Sequence, residues 1–197
     1  MGKCRLCKNK IDLQYFIVEL ISAISFVFIY YFFELTITSL LLLILSIFFI
    51  IIFFIDLKHF IIPNVLTFPL MILGFLKSFD PNLNKAIFPN YINSLIGGIF
   101  GYSIIWLIVF VYKKVRKKEG MGLGDAKLMA VIGFWFGWIS IPFVIFISSA
   151  VALILVIPSL INKSRAMSSE IPFGPYIISA TVIYLFFSDI LKNFLIS

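Results

Sequence analysis

Two carboxylates stand in parts of this chain that are otherwise almost wholly apolar. Asp56 closes the run LLLILSIFFIIIFFI and is followed by LKHFIIPN, while Asp125 ends the glycine-rich GMGLGD and is followed by AKLMAVIGFWFG. An ionisable group at membrane depth is costly and by default marks a functional site. Two carboxylates that approach one another in a low-dielectric setting cannot both ionise easily, so the pair holds a shared proton. Peptide hydrolysis by an aspartyl mechanism needs that state. The ionised member draws a proton from water as the water attacks the carbonyl, and the protonated member donates to the carbonyl oxygen. No cofactor is called for. Each aspartate taken alone reads equally as a snorkelling side chain, a helix cap or a partner of Lys58 or Lys127; two at one depth favour the functional reading.

The residues around Asp125 fit such a site. Gly120, Gly122 and Gly124 permit backbone conformations closed to other residues and let a substrate strand lie close to the chain. The plainer reading is a flexible loop entering a helix, with Gly133 and Gly137 as helix-packing positions. Lys127 is placed to shape the approach or tune the pair electrostatically, although basic residues are expected at cytoplasmic helix ends in any case. Most other acids have ordinary explanations: Asp12, Glu34, Asp80, Glu119, Glu170 and Asp189 fall in loops or near helix ends. Glu19 stands apart with the two aspartates; an interfacial polar role is favoured for it over one toward substrate, and for the single histidine, His59, over a proton relay.

The elements that must carry these side chains follow from composition. Of the 197 residues 62% are hydrophobic, 24 are Phe and only 13% are charged, whereas roughly a quarter of a soluble domain is charged. Apolar runs near the ~20 residues that cross a bilayer recur along the chain, with Gly and Pro at their ends and no barrel-like alternation. The fold class is therefore all-α: a polytopic membrane protein of about seven spans, predicted at 15–33, 38–55, 63–78, 91–112, 125–139, 141–161 and 172–195. The polar start MGKCRLCKNK is not a cleavable signal peptide. Residues 1–14 read as a short cytoplasmic segment and 15–197 as the membrane domain.

Basic residues orient the spans. With the N-terminus inside, only Lys77, Lys85 and Lys192 of the 16 Lys and Arg face outward, which gives an N-in, C-out topology. The net charge of +7 is then a topology signal and an affinity for anionic lipid. The KKVRKK run directly abuts a helix end, as a membrane anchor does, so nucleic acid is not an expected partner. In this topology the second span descends to the inner side at Asp56 and the fifth starts there at Asp125, so both acids reach one membrane boundary. A proton- or cation-coupled transporter or channel would also use paired acids, but these lie at the boundary and not midway, and no inverted repeat is visible.

These residues resemble the type IV prepilin peptidases, membrane aspartyl proteases with a GxGD motif. Asp56 with the following IPN is similar to the family's first aspartate segment, GMGLGDAKLMAVIGFWFG to its second, IPFGPYI to its PFGP element, and GKCRLCKNKIDLQYFIVELI to the stretch after its second cysteine pair. The resemblance covers nearly the whole chain. It implies a multi-pass protein of the bacterial inner membrane that cuts the basic leader of prepilins or pseudopilins after a glycine on the cytoplasmic side, with Asp56 and Asp125 as the catalytic pair. It also implies an upstream helix and another CxxC completing a four-cysteine metal site. This chain begins at the pair Cys4 and Cys7, as a truncated or naturally shortened form would. Two thiolates leave a tetrahedral zinc site incomplete. S-adenosylmethionine would be a cofactor only if the methyltransferase activity of many members were retained, which is not expected without the upstream cytoplasmic region. The sequence sets no oligomeric state.

Overall fold

A computed structural model describes residues 12–83, 87–116, 122–161 and 172–196. The described residues form seven α-helices, one for each predicted span: α1 Leu13–Phe33, α2 Ile37–His59, α3 Asn64–Leu76, α4 Tyr91–Arg116, α5 Leu123–Phe136, α6 Ser140–Ile161 and α7 Gly174–Ile196. A 3-10 turn, Lys77–Phe79, follows α3. Four helical stretches, Leu13–Phe33, Ile37–His59, Tyr91–Val115 and Ser140–Ile157, are by length and composition long and apolar enough to cross a membrane. The protein is an all-helical polytopic membrane protein. Cys4, Cys7 and Gly120 lie outside the described residues.

The chain divides into two compact units, 1–51 and 52–197. In the first, the Asp12 side chain caps α1 by accepting from the Gln14 N–H at 3.1 Å. Thr36 and Ser39 then open α2 as a reciprocal box, in which the Thr36 N–H donates to Ser39 Oγ at 3.0 Å and the Ser39 N–H to Thr36 Oγ1 at 3.2 Å.

The second unit is built around α5. Asp125, Ala126, Leu128, Met129, Ala130, Val131, Ile132, Trp135 and Phe136 of this 14-residue helix are all buried, and α3, α4, α6 and α7 pack against it. The closest neighbour is α4, because both helices offer glycine at the crossing. A Cβ on Gly97 would come within 2.5 Å of the Gly133 carbonyl oxygen, and one on Gly101 within 2.6 Å of the Met129 oxygen. Small residues allow this approach, and in lipid close backbone packing replaces the hydrophobic drive of water. Gly133 is a packing glycine, as expected. Gly137 also packs against Gly97, and in addition it ends α5 with φ of +81° and returns its N–H to the Gly133 carbonyl at 2.8 Å, so left-handed freedom is a second use.

Side chains also hold the C-terminal end of α5. Lys77 Nζ donates to the Trp135 carbonyl at 2.9 Å, Ser94 Oγ to the Phe134 carbonyl at 2.7 Å, and Trp135 Nε1 to the Leu70 carbonyl on α3 at 2.8 Å. Lys77, counted from sequence among the outward-facing basic residues, is buried, with its Nζ 3.7 Å from the centre of the Phe88 ring. The last carbonyls of a helix have no partner within it, and Lys77 Nζ satisfies one of them beside an aromatic face. These links set the axial position of α5 from one end. Its other end carries Asp125.

Two helix ends differ from the predicted ones in ways that matter for the site. The second span was expected to stop at 55, but α2 runs to His59 and closes when the Phe60 N–H bonds to the Asp56 carbonyl at 2.9 Å with Phe60 at φ +57°. Asp56 therefore belongs to the last turn of α2. The fifth helix starts at Leu123, two residues before its predicted start, which puts Asp125 inside its first turn.

Candidate active site

Asp56 and Asp125 come from opposite ends of two helices and are 4% and 7% exposed. They lie near enough that the charge of Asp56 acts on Asp125. Asp56 Oδ2 accepts a backbone hydrogen bond from the Gly174 N–H at 2.9 Å, while the Asp125 N–H donates to the Gly122 carbonyl at 3.2 Å. A backbone donor is fixed in space, so it orients the Asp56 carboxylate without the entropy that a long basic side chain would bring.

Around this pair the starts of α3, α5 and α7 gather with the end of α2. Lys127 Nζ donates to Asn64 Oδ1 at 2.7 Å, tying α5 to the first residue of α3. Lys127 thus binds helix to helix and does not pair with Asp125. The FIIPN turn after α2 lies over the site, with Ile61 exposed and Ile62 half-buried. Ile62 Cβ would lie 3.0 Å from a Cβ on Gly124, and its Cδ1 3.2 Å from one on Gly174. The side chain is therefore held between the glycines that flank the two acids.

The glycines before Asp125 act through space. Gly122 is extended, at φ −78° and ψ 146°, and Gly124 lies within α5, so neither uses a dihedral closed to other residues. A Cβ on Gly122 would meet nothing nearer than 3.8 Å, with Asp125 Oδ2 at 3.9 Å, whereas Gly124 has Ile62 against it. Among the described residues a methyl at Gly122 would thus make only ordinary contacts, one of them with the Asp125 carboxylate. His59 and Lys58 are exposed at the end of α2, and Glu19 is exposed on α1. Among the described residues no group of three or more His, Cys, Asp or Glu side chains is gathered as a metal site.

The residue that sequence reasoning missed is Gly174. It sits in the IPFGP segment and touches Asp56 directly, across 118 positions of chain.

Comparison with known proteins sets this geometry in a family. Residues 43–157 match the model of the type IV leader peptidase family, and residues 1–33 that of the bacterial peptidase A24 N-terminal domain. The chain belongs to the type IV leader peptidase family. Curated relatives called prepilin leader peptidase/N-methyltransferase include one from Pseudomonas aeruginosa, 35% identical over 95% of this chain and 63% of its own length. Another, from Xanthomonas campestris, is 36% identical over 98% of this chain and 66% of its own, and one from Neisseria gonorrhoeae is 34% identical over 88% and 58%. The chain thus spans about two thirds of the length of the first two. No solved structure matches it. Both aspartates fall within the segment matched by the leader peptidase model.

Proposed function

We propose that this chain is an aspartyl endopeptidase of the bacterial inner membrane that removes the basic leader of type IV prepilins or pseudopilins, cutting after a glycine at the cytoplasmic face. The observation that carries the reading is the pair of buried carboxylates, Asp56 and Asp125, brought within each other's field from separate helices. Family membership and the names of the relatives support the substrate class.

The chemistry follows from two carboxylates that share one proton. Water between them loses a proton to the ionised member as its oxygen bonds to the scissile carbonyl carbon, and the protonated member gives its proton to the carbonyl oxygen. Collapse of the tetrahedral intermediate breaks the C–N bond: one hydroxyl returns its proton to the carboxylate that had protonated the carbonyl oxygen as C=O re-forms, and the departing amine takes a proton from the carboxyl that first received one, which restores the shared-proton pair. Burial strengthens both transfers, because the charges they move are poorly screened. A site at the helix ends suits a substrate whose charged leader stays in water while its apolar segment lies in lipid. A glycine before the scissile bond lets the substrate backbone approach recessed carboxylates without a side chain in the way.

The test is cleavage of a prepilin by the full chain in liposomes. Asp56→Asn and Asp125→Asn should each lower cleavage by at least about 10³-fold while the protein stays inserted. Replacing the substrate glycine by valine should block cleavage by the unaltered enzyme. Full processing by both aspartate variants would end this reading.

A further inference from the structure

We propose that Gly174 is a positioning residue for the proteolytic pair: its N–H holds one oxygen of Asp56, and its missing side chain leaves the space that oxygen occupies. The starting point is the first turn of α7. At a helix N-terminus the leading N–H groups have no partner within the helix. Among residues 174–177, Pro175 has no N–H, and Tyr176 and Ile177 both donate to the Phe173 carbonyl at 3.1 Å. Gly174 keeps a free donor, and it goes to Asp56 Oδ2 at 2.9 Å. The positive end of the α7 dipole thus faces this carboxylate.

Sterics make the position narrower still. A Cβ on Gly174 would stand 2.7 Å from Asp56 Oδ2 and 3.2 Å from its Cγ. No residue other than glycine can donate this bond without displacing the group that accepts it. Asp56 lies in the last turn of α2, where its backbone carbonyl already closes the helix through Phe60, so the main chain has little freedom to follow. Any shift falls on the carboxylate itself. With Oδ2 tethered, Oδ1 is the oxygen left for water and for Asp125.

A competing account is that Gly174 only makes room for packing, since the same Cβ would lie 3.2 Å from Ile62 Cδ1. The two accounts separate in a double variant. Gly174→Ala should lower kcat for prepilin cleavage by about 100-fold, as a misplacement near 1 Å does, with KM within about threefold because no contact to the substrate is altered. Adding Ile62→Ala relieves the packing clash and leaves the clash with Oδ2. The double variant should stay as slow as Gly174→Ala. Recovery to within about threefold of the parent would overturn the proposal, as would a Gly174→Ala enzyme whose folded fraction turns over normally.

This kinetic arm rests on the proteolytic reading, and a spectroscopic arm does not. In the infrared, the difference between the parent and Asp56→Asn isolates the Asp56 carboxyl band. Gly174→Ala should shift that band, because a hydrogen bond to one oxygen is lost. An unshifted band overturns the positioning role even if cleavage is never observed. A shifted band without cleavage by the parent removes the proteolytic reading and leaves the Gly174 contact standing.

Discussion

Gly122 and Gly174 flank the two aspartates and lack a side chain for different physical reasons. At Gly174 a methyl group collides with Asp56 Oδ2, whereas at Gly122 its contacts with the described residues are ordinary ones, with Asp125 Oδ2 at 3.9 Å. Substitution should separate these roles. Gly122→Ala fits the folded protein, so its melting temperature in detergent should correspond to a change within about 0.5 kcal/mol. If the room beside Gly122 admits the substrate backbone, kcat/KM for prepilin should nevertheless fall about tenfold or more, against a parent-like infrared band for Asp56. Unchanged cleavage would show that the approach lies elsewhere, on the Ile62 side. The two acids were legible in the sequence because an ionisable group beside an apolar run has few other uses. The Gly174 contact was not, because a hydrogen bond between residues 118 positions apart leaves no local pattern.

At the scale of elements, α5 is the part on which the site depends, and it is held at both ends. Its 14 residues span only about 21 Å at 1.5 Å per residue, less than the roughly 30 Å hydrocarbon core. A helix this short suits carboxylates recessed below the membrane surface, provided that protein surrounds its ends. The glycine crossing with α4 supplies much of that enclosure. Gly133→Ala should therefore be among the more damaging small changes, since its methyl meets the Gly97 backbone, which has no rotamer to escape into. Overpacking of this kind costs roughly 1–3 kcal/mol, and thermal unfolding in detergent would register it as a clear loss next to a nearly silent Gly122→Ala. A melting temperature equal to the parent's would mean that α4 and α5 are not so closely pressed. The apolar runs located all seven helices, because hydropathy reports directly on lipid-facing length. Their ends were harder to read. Helical hydrogen bonding carries α2 past the apolar run to His59, and charge counting used Lys77 only as an outward-facing basic residue, whereas a carbonyl and an aromatic ring hold its buried side chain.

For the molecule as a whole, function depends on which side of the membrane the aspartates face. The leader of a prepilin is basic, and basic segments stay on the cytoplasmic side. A site on the outer face would never meet it. The distribution of Lys and Arg predicts the turn after α2 and the start of α5 inside, and the loops after α3 and α5 outside. Exposed residues mark each place: Ile61 and Leu123 near the acids, and Asn82 and Trp138 at the far end. With Cys4 and Cys7 replaced by serine, single cysteines at these four positions can be probed with a membrane-impermeant maleimide on intact spheroplasts. Positions 82 and 138 should label at once, and positions 61 and 123 only after the membrane is opened. The reverse pattern would put Asp56 and Asp125 on the outer face. The carboxylate pair would then keep its geometry but lose access to any leader on the cytoplasmic side, and the prepilin reading would fall while membership of the family stood.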